Sequence, residues 1–452
     1  MVACDKGTLV IFIMRHFIYT CEPKTTVSMQ RTRRIDDFFR HTDPEKQQRH
    51  QAQCNYFYID WGASEPYQAQ WMRERPVPLD FQVDIECTKT LGPGRIITVC
   101  CVFPAEPSQA HQAEQDAEPA EPLYRDTTLL ALLKSNLQKC MRRQLVVRAK
   151  ETARYLAELD LQLLVRWLAI IMLEDVVLYP AAFGVLAWLT AALSKNFVGA
   201  ARRSAGEGVL AAIQEWLLGL VDALCRESRE AYWAHRLDQY QPGGGTGSTV
   251  VTLWNDAAAL PPQQRDSIYS LLFRHSYGGL PGDCAMMMAF ATLVQRGTHE
   301  AISTSDESSV HRRIRLAQVK RLDLAFVELA AVDFHCLPGM LYALSRFCEQ
   351  QQERRQLQKK RSDDQQQQGA KLIAVYSTQD IKQAVWHHSS KCNKRVTRVP
   401  REERERKDAS HACFHTIKWK LEWLQQEHIK SCSNMTALHQ YRLAYGTSPR
   451  SK

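Results

Sequence analysis

At Asp126 the hydrophobic period of this chain changes, and that change decides what most of it can fold into. Upstream, Phe81 to Cys87 alternates apolar and polar residues, which sends successive side chains to opposite faces of a strand. Downstream, Leu129, Leu130, Leu133, Leu137, Cys140 and Met141 recur every three or four residues and share one face of a helix. Asp126 stands where an N-cap carboxylate can accept the first free backbone N–H groups. Ala153, Leu156, Ala157, Leu161, Leu164 and Leu168 continue the same period, and Leu210, Ile213, Leu217, Leu220, Val221 and Leu224 mark a helix over 207–237. Further helical stretches fall near 264–274, 283–296, 311–332 and 338–350, with a last amphipathic helix at 414–429. The expected fold class is therefore mainly α: a multi-helix globular body, one small β-hairpin near 81–104, and a disordered N-terminal arm.

The boundaries follow from composition. Residues 1–53 form the arm, 54–104 a small β-containing segment, and 105–125 an acidic, proline-bearing linker. Residues 126–350 are the helical core domain, 351–370 a Gln-rich insert, and 371–452 a basic helical C-terminal segment that includes a charged connector at 391–409. A net charge of +9 over 452 residues excludes a polycationic tail. Fourteen cysteines without a CxxC pair exclude a disulfide scaffold and favour a reducing compartment. The apolar run Leu9 to Met14 is too short for a signal peptide and lacks a cleavage site, so Met29 is the expected start. Val176 to Leu193 carries no charge, but Pro180 and Gly184 interrupt it; it reads as a buried core helix, and no membrane partner is expected.

The sharpest short motif is Thr32-Arg33-Arg34-Ile35-Asp36-Asp37-Phe38-Phe39. On an otherwise polar arm, one tight turn brings Ile35, Phe38 and Phe39 together as an apolar plug. The motif resembles the PIP box, the sliding-clamp-binding motif of replication and repair proteins, with Thr32 standing at the position of the usual Gln. The resemblance implies a sliding clamp as partner, Thr32, Ile35, Phe38 and Phe39 as its contacts, and a nuclear location.

A second resemblance covers 129–193. Leu133 to Arg143 (LKSNLQKCMRR), Ala149 to Leu159, and Leu164 to Val176 (LVRWLAIIMLEDV) are similar to the C-terminal helical region of replication-associated recombination ATPases of the RarA/MgsA type. Trp167 replaces the second Arg of that pattern and Val177 its Gly, and no ATPase module precedes the region. Gly243 to Thr249 looks like a phosphate loop, yet Gly247 stands where Lys must reach the phosphates, so no nucleotide cofactor is expected.

Candidate polar chemistry gathers at Glu174, Asp175, His275, Asp333 and His335. Glu174 and Asp175 interrupt an apolar helix, where pairing with Arg142, Arg143 or Arg166, or capping of the helix near Pro180, would offset their burial. Asp333, His335 and Cys336 could form an acid/base pair or ligate a metal; a satisfied core element is the plainer reading. His387, His388, Cys392, His411, Cys413 and His415 lack the paired short spacing of a zinc site, so no metal is expected. Lys391, Lys394, Arg395 and Arg398 head a basic stretch suited to DNA phosphates, although solvated surface is its default role.

These readings converge on a non-catalytic accessory factor of DNA replication or repair that binds the sliding clamp, with DNA as a further partner. The alternatives are a nucleic-acid-processing enzyme with a site around His275, Asp333 and His335, and a helical protein-interaction scaffold.

Overall fold

The computed structural model describes residues 54–61, 70–74, 82–92, 95–104, 126–195, 197–204, 206–227, 249–297, 313–314, 324–362, 376–389 and 401–432. Among these the chain is mainly helical, with a small sheet. The strands are β1 (Cys54–Tyr58), β2 (Gln70–Met72), β3 (Gln82–Gly92) and β4 (Arg95–Pro104). The helices are α1 (Thr127–Arg142), α2 (Val146–Asp175), α3 (Pro180–Leu193), α4 (Phe197–Ser204), α5 (Gly206–Arg226), α6 (Val250–Ala257), α7 (Pro262–Ser276), α8 (Pro281–Gln295), α9 (Met340–Ser362), α10 (Thr378–Ser389) and α11 (Arg401–Cys432). The chain divides into two compact units, the first made of 1–113, 165–216 and 231–313, the second of 114–164, 217–230 and 314–452.

The first unit holds the sheet, in the order β2-β1-β4-β3. The expected hairpin is β3 and β4, paired antiparallel with Ile85 opposite Cys101 and Cys87 opposite Val99. Ile85 and Cys87 are buried while Asp84, Glu86 and Thr88 are exposed, as the alternation requires of a strand with one solvated face. The hairpin is nevertheless not the sole β element. β1 runs parallel to β4 and antiparallel to β2, so it is an interior strand. Tyr56 packs with Cys100 and Val102, while Phe57 meets Trp71 edge-on at 5.1 Å between ring centroids.

Helix α3 is apolar on all sides because it is buried on all sides, from Ala182 to Ala192. Trp188 Nε1 donates to the Phe57 carbonyl at 3.2 Å, which fixes the helix to β1. Gly184 permits the approach: a Cβ there would stand 3.3 Å from Ser270 Oγ and 3.6 Å from Phe57 Cζ. Ser270 in turn accepts from Trp71 Nε1 at 2.9 Å and donates to the Asp266 carbonyl at 2.7 Å. The reading of 176–193 as a core helix matches this burial. In α5, Gly208–Arg226 is long and apolar enough to cross a membrane by composition alone, and 67% of that stretch is buried.

The second unit begins with α1. Asp126 Oδ1 accepts from Thr128 N at 2.7 Å and Leu129 N at 3.3 Å, the cap the sequence calls for. Leu129, Leu130, Leu133, Leu137, Cys140 and Met141 are all buried, each large apolar side chain contributing about 1.5–3 kcal/mol. The helix ends in a Schellman turn, with Gln144 N bonded to the Met141 carbonyl and Leu145 N to the Cys140 carbonyl. Gln144 takes the left-handed position there, at φ 59°. Helix α2 breaks at Asp160, whose Oδ1 caps the following turn by accepting from Leu163 N at 2.9 Å. The chain passes from the second unit to the first five residues later, at Val165.

Two other expectations are corrected. The helix expected over 311–332 is absent where the chain is described: 324–337 is a chain of turns with a single 3-10 turn at Leu329–Ala331. The charged connector at 391–409 is already helical from Arg401. Of the two readings the Gln-rich stretch allows, an exposed helix extension or a disordered insert, the helix extension holds through Ser362, with 353–358 exposed, and the helix expected over 207–237 is described as far as Arg226.

Candidate functional site

The most connected polar cluster belongs to the second unit, where the turns of 324–337 pack on α1. Asn136 is fully buried on α1; its Nδ2 donates to Thr152 Oγ1 at 2.8 Å, and its Oδ1 accepts from the backbone N–H of Glu328 at 2.9 Å. One turn along, Lys139 Nζ donates to Asp333 Oδ2 at 2.6 Å and to Ser135 Oγ at 2.9 Å. The other carboxylate oxygen, Asp333 Oδ1, accepts from His335 N at 2.9 Å and lies 3.1 Å from His335 Nδ1. Glu328 is ion-paired with Arg148 and lies 3.6 Å from Arg143. Arg143 also donates to the His388 carbonyl at 3.1 Å.

Electrostatics follow from this geometry. Burial alone would push the Asp333 carboxyl up, but the hydrogen bond from His335 and the Lys139 ammonium outweigh it and hold the group well below the usual carboxylate range. Cys336 is buried, its thiol donating to the Ala331 and Ala131 carbonyls at 3.4 and 3.6 Å. Burial and the Asp333 charge push that thiol up to about 11, so it stays protonated at neutral pH and is no nucleophile. The His335 side chain is 51% exposed and packs against Phe334 and Trp386, with ring centroids 4.3 and 6.1 Å away. The cluster thus contains a carboxylate-held imidazole open to solvent above a sealed lysine–aspartate pair.

A second cluster belongs to the first unit, in the turn the sequence marks at 274–283. Arg274 is 1% exposed; its Nη1 donates to the Gly278 carbonyl at 2.9 Å and its Nη2 reaches the Arg166 carbonyl at 3.4 Å. Arg166 Nη2 donates to the carbonyls of Tyr277 and Gly278 at 3.1 and 3.4 Å. Two guanidinium groups therefore converge on the Tyr277 and Gly278 carbonyls of the turn that follows α7, close to the negative pole of that helix. Gly278 has φ +70°, the left-handed turn residue the arrangement needs. Burial and the neighbouring Arg166 lower the Arg274 guanidinium to about 10, and burial with the Arg274 charge lowers His275. Asp283 Oδ2 accepts from Leu280 N at 3.1 Å and starts α8.

Of the candidate polar residues, Asp333 and His335 are in direct contact within the second unit, while Glu174, Asp175 and His275 belong to the first. Arg166 serves the α7 terminus, and α3 is entered at Tyr179 without a side-chain cap. Thr32, Ile35, Phe38 and Phe39 lie outside the described residues, as do Lys391, Lys394, Arg395 and Arg398 and the glycine loop at 243–248. Lys139 and Asn136 escape sequence reasoning, because a polar residue on the apolar side of a helix declares its partner only in three dimensions. The one available signal is that Asn136 and Lys139 sit beside Leu132, Leu133 and Cys140 on the buried stripe. No protein-family model, no curated protein and no solved structure matches this chain.

Proposed function

We propose that this chain is a non-catalytic accessory factor of DNA replication or repair that ties a helical body to a sliding clamp through Ile35, Phe38 and Phe39, with DNA as a further partner. The observation that carries the reading is the spacing of those three residues within a sequence stretch, 29–53, that is otherwise almost entirely polar and charged. The polar clusters lend support of a different kind. In the second unit, Asn136, Lys139, Arg143 and Arg148 hold turns against a helix; in the first, Arg166 and Arg274 close a helix terminus. Such fixed clusters suit a body whose work is to present surfaces.

The test is a pull-down of the full chain on an immobilised sliding clamp, comparing wild type with Phe38→Ala/Phe39→Ala. Retention of the wild type and loss of the double variant is the expected result; absence of binding by both ends the reading. One observation favours a second function: the half-exposed His335 held by Asp333 is the arrangement of a general base. Nucleic-acid cleavage by the wild type that disappears in His335→Gln, with clamp binding absent, would establish that function instead.

A further inference from the structure

Helix α11 carries His411 and His415 four residues apart, so the helical repeat stacks both on one face. Both are exposed, and their Nε2 atoms lie 3.0 Å apart, with ring planes at 82° and centroids separated by 4.4 Å. Cys413 between them points the other way: it is fully buried, and burial pushes its thiol up to about 12. Phe414 is likewise occupied, stacked on His388 at 4.1 Å. Phe414 also meets the His415 ring edge-on, with centroids 6.2 Å apart, and the exposed imidazole pair is presented on the solvent side of the helix turn.

We propose that His411 and His415 form a two-imidazole chelate for a divalent late-transition-metal ion, Cu2+ before Zn2+, whose remaining positions are filled by water. Imidazole nitrogens bind such ions at about 2.0–2.1 Å, so two of them 3.0 Å apart subtend an angle of roughly 94° at the metal. That is close to the right angle between neighbouring ligands in tetragonal copper sites and narrower than a tetrahedral angle, and imidazole affinity rises to Cu2+ along the divalent series. Among the described residues no group of three or more His, Cys, Asp or Glu side chains is arranged to hold a metal ion, so the site is two-pronged. Binding the ion spans one helical turn and stabilises the folded chain in proportion to ligand occupancy. It requires both rings neutral, and acid displaces the ion. The inference is independent of the clamp reading.

The test is calorimetric titration of the full chain with CuSO4 and ZnSO4, alongside thermal unfolding with and without each salt. The comparison is among wild type, His411→Ala/His415→Ala, and His415→Ala/Thr416→His. The last variant keeps the histidine count but sets the rings five residues apart, about 140° around the helix and off any shared face; Thr416 is half-buried and its hydroxyl bonds the Ala412 carbonyl of its own helix, so the fold should be unaffected. Expected is one site in the wild type with nitrogen couplings from two imidazoles in the Cu2+ electron paramagnetic resonance spectrum. That site should be absent from the double-alanine variant and weaker by on the order of 10²-fold in the displaced variant. Isotherms and unfolding temperatures that coincide across all three proteins overturn the proposal, as does equal affinity in the wild type and the displaced variant.

Discussion

Lys139 Nζ lies 2.6 Å from Asp333 Oδ2, joining residues 194 positions apart in the chain, with side chains only 6% and 2% exposed. An ion pair this deeply buried loses the hydration of both partners, and its attraction largely goes to offsetting that loss. Removing one partner leaves the other charged and sealed. Asp333→Leu alone or Lys139→Met alone should therefore destabilise the chain by about 3–5 kcal/mol. The double replacement Lys139→Met/Asp333→Leu should recover most of the loss, because it removes both charges while filling the space. Denaturant unfolding of both singles and the double closes the cycle; a double variant as unstable as the sum of the singles would refute the coupling.

The same carboxylate sets a pH dependence. Its pKa is depressed in the folded chain, so its contribution is fully present above the unfolded value, near 3.8, and is lost as pH falls below that point toward the folded value. Wild-type stability should drop below about pH 4 more steeply than that of Lys139→Met/Asp333→Leu, whose profile lacks this group. Parallel profiles for the two proteins would show that Asp333 titrates in the folded state as it does unfolded.

Gln144 occupies the left-handed residue of the turn that ends α1, at φ 59°. A side chain there costs roughly 1 kcal/mol that glycine does not incur. Against this stands one bond, Gln144 Nε2 to the Glu227 carbonyl at 3.0 Å, at an exposed site where water can replace it. Gln144→Gly should therefore raise stability by about 0.5–1 kcal/mol, read as a higher denaturant midpoint with an unchanged slope. A lower midpoint would mean that the exposed hydrogen bond outweighs the backbone strain.

On the arm, Thr32 stands where the resembled motif has Gln. Thr32→Gln should tighten clamp binding by restoring hydrogen bonds, while Phe38→Ala/Phe39→Ala should cost about 2 kcal/mol or more per ring. Calorimetry on a 29–45 peptide and on the full chain measures both. Equal affinity of Thr32→Gln and wild type would show that position 32 makes no contact.

Local patterns were legible in the sequence because local physics produces them. The Asp126 cap, the leucine stripe of α1 and the alternation of β3 each depend on residues within a few positions of one another. β1 was illegible for the opposite reason. As an interior strand covered on both faces it buries Tyr56 and Phe57 in succession, so it shows no alternation, and β2 is only three residues long. The stretch 324–332 has the apolar content of a helix, yet its backbone is satisfied elsewhere: Glu328 donates its N–H to the Asn136 side chain, and the following residues close a 3-10 turn. Of the polar cluster, Asp333 and His335 were visible as neighbours, whereas Lys139 and Asn136 became part of it only when α1 met those turns.

Gly184 supplies the most local test of the first unit. Its position on α3 faces Ser270 Oγ, and a methyl group there would sit 3.3 Å from that oxygen, tighter than ordinary van der Waals contact. Ser270 cannot simply rotate away, because it accepts from the buried Trp71 indole and donates to the Asp266 carbonyl. Trp71 is itself held edge-on by Phe57 and Phe273, with centroids 5.1 and 5.5 Å away. Gly184→Ala gains helix propensity of about 1 kcal/mol but forces α3 outward or breaks the Trp71 bond, an overpacking cost of roughly 1–3 kcal/mol. The crowding should win, leaving the variant less stable, and Ser270→Ala should relieve the clash at the price of an unpaired indole N–H. Gly184→Ala should thus cost less in a Ser270→Ala background than in the wild type. If Gly184→Ala stabilises the chain instead, α3 does not approach β1 and α7 as closely as the 3.3 Å separation requires.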